Sequence, residues 1–74
     1  MNIEQAEKLK KGDTLIYTGD DSKYNPYVKG NTYPVASDYY EDEYDGDYVI
    51  DLLGDDKCVR CVNMGDCHSD FDLI

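Results

Sequence analysis

The 74 residues contain no apolar run approaching the ~18 that a membrane span needs. At the N-terminus, charged and apolar residues alternate where a secretory signal would need an unbroken apolar stretch. The expectation is therefore a cytoplasmic chain with no membrane partner. Bases are scarce: seven Lys and Arg against seventeen Asp and Glu leave a formal charge of −10. Phosphate would repel such a chain, which disfavours direct nucleic-acid binding. Cysteine is present three times, an odd number, and nothing points to export, so a disulfide framework is not expected. Nor is there length for two cores. The sequence reads as one domain, residues 1–74, with a marginal core and room for a binding surface rather than a deep pocket.

What the sequence does hold reads mainly as strands. Around Lys29-Gly30-Asn31-Thr32-Tyr33-Pro34-Val35, the Gly-Asn pair supplies the positive φ of a sharp turn, and a strand over Asn31–Ala36 follows. Pro34 has no amide hydrogen, so it must lie at a sheet edge, a bulge or a gap in the ladder, where the strand bends. Before this, Asn2 and Gln5 have the spacing of a capping box for a short helix with Ile3, Ala6 and Leu9 on one face. Lys8, Lys10 and Lys11 would complement its C-terminal dipole, and Gly12 would end it.

A first strand is expected over Asp13–Thr18, with Leu15 and Tyr17 on one face. The polar excursion over residues 20–28 carries Tyr24 and Tyr27, which either form a binding loop or fold back over the core. Residues 37–47 hold six acids and no base. The apolar run Tyr48–Leu53 that follows is the natural central strand. Gly54-Asp55-Asp56 reads as a tight turn and Lys57–Val62 as the hairpin partner. Asn63–Asp66 reads as another turn, Ser69-Asp70 as one short helical turn, and Phe71–Ile74 as a closing strand. Five short strands with one long loop point to a small, strongly bent barrel. Its core would come from Tyr33, Val35, Val49, Ile50, Leu52, Val59 and Phe71, joined by Leu15 or Ile16.

The succession Lys11-Gly12-Asp13, a strand to Gly19, Lys29-Gly30 with Tyr33 and Val35, Asp47-Tyr48-Val49 and the terminal Phe71-Asp72-Leu73-Ile74 resembles small SH3-like β-barrel proteins encoded by bacteriophages. The resemblance covers nearly the whole chain. It implies an all-β fold, a five-stranded SH3-like barrel with a short N-terminal helix, whose rim gathers residues 20–28, 38–47 and 69–71. It further implies a non-enzymatic adaptor or inhibitor acting in the cytoplasm of an infected bacterium. The absence of tryptophan argues against a groove for proline-rich peptides.

Metal, cofactor and catalytic readings fare poorly. Cys58 and Cys61 have zinc half-site spacing, but residues three apart on a strand diverge, as do the adjacent Cys67 and His68. The cysteines read instead as small reduced hydrophobes. An EF-hand register starting at Glu41 would put Leu52 where a bidentate glutamate is required, and flanking helices are missing. Cys67 beside His68 has no orienting third group. No enzyme, metal or cofactor is expected.

Charge distribution carries the functional expectation. Residues 38–56 contain nine acids and no base, while three of the seven bases fall within residues 8–11. Tyrosines interleave the acids and offer contact area, a hydroxyl and a ring face for arginine. The candidate contact residues are Tyr39, Tyr40, Glu41, Asp42, Glu43, Tyr44, Asp45 and Asp47, with Tyr24 and Tyr27 from the first loop. They suit a host protein with a basic surface, where an acidic rim would compete with nucleic acid in the manner of a DNA mimic. The competing expectation is an assembly module whose acids only confer solubility. The chain would be a monomer, or a weak homodimer through the irregular edge at Pro34.

Overall fold

In the computed structural model, which describes residues 1–20 and 27–74, the Asn2–Gln5 spacing forms the capping box it predicts. Asn2 Oδ1 accepts from Gln5 N at 2.9 Å, and Gln5 Oε1 accepts from Asn2 N at 3.0 Å. Helix α1 spans Ile3–Glu7 and buries Ala6, and Leu9 is buried just beyond it. Lys8 is the C-cap of the helix, at the C-terminal end as expected, whereas Lys10 and Lys11 lie beyond it. Asp13 Oδ2 accepts from Lys10 N and Asp38 Oδ1 from Lys11 N, both at 3.0 Å, which holds these amides in a turn outside the helix.

Six strands follow: β1 (Thr14–Tyr17), β2 (Thr32–Pro34), β3 (Tyr40–Glu41), β4 (Tyr48–Leu53), β5 (Val59–Asn63) and β6 (Phe71–Leu73). They form two three-stranded antiparallel sheets, ordered β2-β1-β6 and β3-β4-β5. Asn63 caps a short helix α2, Met64–Cys67, where the sequence suggested only a turn, because its Oδ1 accepts from Gly65 N and Asp66 N. A 3₁₀ turn over His68–Asp70 then leads into β6.

The fold is mostly β, as expected, and its six strands lie in two three-stranded antiparallel sheets. The chain changes sheet just after Pro34: Val35 N donates to Asp13 O beside β1, and the next amide, Ala36 N, donates to Asp51 O of β4. A bridge between Val35 and Leu52 joins the sheets there. The ladder lapses beyond it, since Asp51 N turns to the Ser37 side chain at 2.9 Å instead of a backbone carbonyl.

Between the sheets lie Leu15 and Tyr17 of β1, Tyr33, Val35, Ile50, Leu52, Val62, Met64 and Phe71, with Ala6 and Leu9 beneath them. Leu15 joins the core and Ile16 does not, as strand alternation requires. Val49 is buried apart from this cluster. Val59 is 54% exposed, against expectation. In the β4–β5 register Val62 faces Ile50 and Val59 faces Leu53, so the inward set of β5 includes Val62 and excludes Val59. Tyr27 folds back over the core, edge-on to Tyr33 and Phe71 with ring centroids 5.1 and 5.6 Å apart. Such tilted packing suits the quadrupoles of aromatic rings.

Candidate functional site

The acidic stretch is an ordered β-hairpin rather than a featureless connection. Tyr40 pairs with Val49 and Glu41 with Tyr48. Beyond this two-residue ladder, Asp42 N donates to Asp47 O at 2.7 Å and Gly46 N to Asp42 O at 2.8 Å. Asp42 Oδ1 also accepts from Tyr44 N at 2.9 Å, the local bond by which an aspartate nucleates a turn. Gly46 closes the loop at φ 70°, a left-handed conformation that favours glycine.

At the tip Tyr44 is 98% exposed, flanked by the exposed Glu43 and Asp45. Glu41 and Asp47 are exposed on the arms, and Asp42 is half-buried by its turn bond. Among the described residues no lysine or arginine pairs with Glu41, Asp42, Glu43, Asp45 or Asp47. Their charge is therefore uncompensated within the described part of the fold.

The hairpin's tyrosines have different surroundings. Tyr39 lies flat on Tyr48, ring centroids 5.3 Å apart and planes within 5°. Tyr39 N donates to Leu9 O at 3.2 Å, which draws this pair against the end of the α1 segment. Burial, then the charge of Glu7, raises the Tyr39 phenol pKa above its ordinary value. A hydrogen bond with Glu41, then the charge of that carboxylate, raises that of Tyr48. Tyr40 points to the other face, where its hydroxyl donates to Asp51 Oδ1 at 2.9 Å and lies 3.0 Å from Cys61 Sγ. These bonds raise the Tyr40 pKa, Cys61 contributing first, and commit its hydroxyl internally.

A cleft of about 610 Å³ opens on the hairpin's inner side. It is lined by Ile3 and Glu7 of α1, by Tyr39, Asp47 and Tyr48, and by Asn63 and Gly65 at the start of α2. Of the expected contact residues, the structure groups Tyr39, Glu41, Asp42, Glu43, Tyr44, Asp45 and Asp47 on or beside the hairpin, and Tyr40 behind it. Tyr24 lies outside the described residues. Tyr27 is corrected from contact residue to core residue, because its ring is buried between Tyr33 and Phe71.

Of the expected common rim, Tyr27 does adjoin Phe71, with ring centroids 5.6 Å apart, but the hairpin stands apart from them. Val28, at the end of the first loop, donates to the Tyr33 hydroxyl, which in turn donates to Asp55 beyond the C-terminal end of β4. The hairpin turn adjoins the N-terminal end of that strand. Six residues of β4 separate them, about 17–20 Å of extended chain. Sequence reasoning missed Ile3 and Glu7 as neighbours of the hairpin, since the contact that brings them there joins residues far apart in the chain.

Among the described residues, no group of three or more His, Cys, Asp or Glu side chains is placed to hold a metal ion. Cys61 lies on the outer face of β5 with Tyr40, Cys67 belongs to α2, and His68 Nδ1 is 2.7 Å from Met64 O. Among those residues no helix is long and apolar enough to cross a membrane. Comparison with protein-family models, with curated proteins and with solved structures returns no match to this chain.

Proposed function

We propose that the chain is a non-enzymatic binding module that docks its acidic hairpin on a basic surface of another protein and so competes with nucleic acid for that surface. The observation that carries this reading is the hairpin tip. Tyr44 is 98% exposed on a turn held by its own hydrogen bonds. A tyrosine presented on an ordered turn, among carboxylates that no lysine or arginine pairs among the described residues, supplies a contact anchor, and the surrounding charge steers a basic partner toward it. A solubilising loop has no need of that order.

The bacteriophage resemblance extends the proposal to an inhibitor of a host protein. We read the fold accordingly as an open SH3-like barrel. Taken as one bent strand, Thr32–Glu41 serves first β1 and then β4 and reduces the count to five. The 3₁₀ turn immediately before a last strand that pairs with β1 supports the same reading.

The test is capture from a bacterial lysate on the immobilised chain, compared with a variant in which Glu41, Asp42, Glu43 and Asp45 are replaced together by their amides. The wild type is expected to retain a basic protein, released by added duplex DNA, that the folded variant does not retain. Equal retention by both would overturn the reading.

A further inference from the structure

The inner face of the hairpin, as well as its tip, is shaped for a cation. The cleft of about 610 Å³ has a flat aromatic floor in the Tyr39–Tyr48 stack, whose planes lie within 5° of each other. Tyr48 is 48% exposed, so its ring is open to a ligand. Carboxylates approach from two sides, Glu7 on α1 and Asp47 on the hairpin. Ile3, 37% exposed, adds an apolar wall, and no base lines the cleft among the described residues.

Flat ring, acidic flanks and apolar wall together distinguish between the two basic side chains. A lysine ammonium is a compact, strongly hydrated charge that gains little from a flat ring. An arginine guanidinium is planar and weakly hydrated, stacks on an aromatic face, and directs its N–H donors outward in the plane toward carboxylates at the edge. Its aliphatic stem would lie along the apolar wall.

We propose that the cleft between α1 and the acidic hairpin receives an arginine side chain of the partner protein, stacked on Tyr48 and bonded at its edge by Glu7 and Asp47. The proposal rests on the hairpin being the partner contact and adds to it a position and a residue preference.

The ¹⁵N-labelled chain, titrated with acetylated penta-arginine and separately with penta-lysine, provides the test. Amide shifts at Tyr39, Gly46, Tyr48 and Gly65 are expected to saturate with penta-arginine at about fivefold lower concentration than with penta-lysine. Tyr48→Leu, and independently Glu7→Gln, should remove most of that difference while the rest of the amide spectrum stays unchanged. Glu7 is exposed, so its variant tests the cleft even if the Tyr48 variant misfolds. Equal binding of the two peptides, or an arginine preference that survives both substitutions, would overturn the proposal. A Glu43→Gln, Asp45→Asn double variant separates it from the reading beneath it. Loss of both peptides by that variant, with the cleft variants unaffected, removes the arginine cleft and leaves the hairpin contact standing. Unchanged binding by all the variants removes both.

Discussion

The hydroxyl of Tyr33 donates to Asp55 Oδ2 at 2.7 Å, joining β2 to the turn between β4 and β5. It also accepts from Val28 N at 2.7 Å, so one phenol ties together the first loop, one sheet and the turn of the other. Tyr33→Phe would keep the buried ring and remove both bonds, leaving the Val28 amide to find water. The expected loss is about 1–2 kcal/mol, which for a domain of this size lowers Tm by about 4–16 °C. Thermal melts followed by circular dichroism check this. Tyr44→Phe is the control and should change stability by less than about 0.5 kcal/mol, because that hydroxyl is at the exposed tip.

The two faces of the β4–β5 hairpin predict opposite outcomes for two similar truncations. Leu52 is fully buried and bridges to Val35 where the sheets meet. Leu52→Ala would leave a cavity at that junction and should cost about 2–5 kcal/mol, much of the stability of a domain this small. Val59→Ser, on the exposed face, should stay within about 0.5 kcal/mol. Urea titration of both variants measures the difference, and a large loss for Val59→Ser would show that β5 is in the wrong register.

Local signals were legible in the sequence and long-range ones were not. The Asn2–Gln5 capping box, the inward pair Leu15 and Tyr17, the central strand Tyr48–Leu53 and the bend at Pro34 each follow from residues within a few positions of one another. The face of β5 does not, because Cys58-Arg60-Val62 and Lys57-Val59-Cys61 alternate equally well. The choice depends on Ile50 meeting Val62 across the sheet, after a turn that Lys57 extends by adopting φ 67°. Strand β3 was hidden by its length of two residues and its acidic surroundings. For the candidate site, the acids and tyrosines of the hairpin were readable as composition. The cleft was not, since it exists only because Tyr39 N reaches Leu9 O and brings Glu7 beside Tyr48.

Stability should fall at alkaline pH through the tyrosines. Burial, chiefly, raises Tyr27, Tyr33 and Tyr39 above the ordinary value of 10.0, and hydrogen bonds raise Tyr40, from Cys61 and Asp51, and Tyr48, from Glu41. The unfolded chain releases these protons near pH 10 while the folded chain still holds them. The contribution is therefore complete below pH 10 and is lost as pH rises through the higher folded values. Melts from neutral pH upward should show a constant Tm that declines beyond about pH 10, with phenolate absorbance appearing late for these groups. At the acidic end Asp56, held down to about 2 by its hydrogen bonds to Arg60 and then to Cys58 N, acts in the opposite sense. Its contribution is present above 3.8 and is lost as pH falls toward 2.

Salt decides whether the hairpin's charge makes the contact or only surrounds it. Amide replacement of Glu41, Asp42, Glu43 and Asp45 removes four of the seventeen acidic charges while keeping an acceptor oxygen at each position. Asp42→Asn preserves the acceptor for Tyr44 N, so the hairpin should remain folded. Exposed charges are screened beyond about 10 Å at 0.1 M salt. Retention of a basic partner by the wild type should therefore weaken markedly between low and physiological salt, through a slower on-rate. The amide variant should show weak retention with little salt dependence. An assembly module docking through an apolar face, such as the one carrying the exposed Val59, would instead be retained equally at both salt concentrations and by both proteins. That outcome would move the contact away from the hairpin and remove competition with nucleic acid as the mode of action.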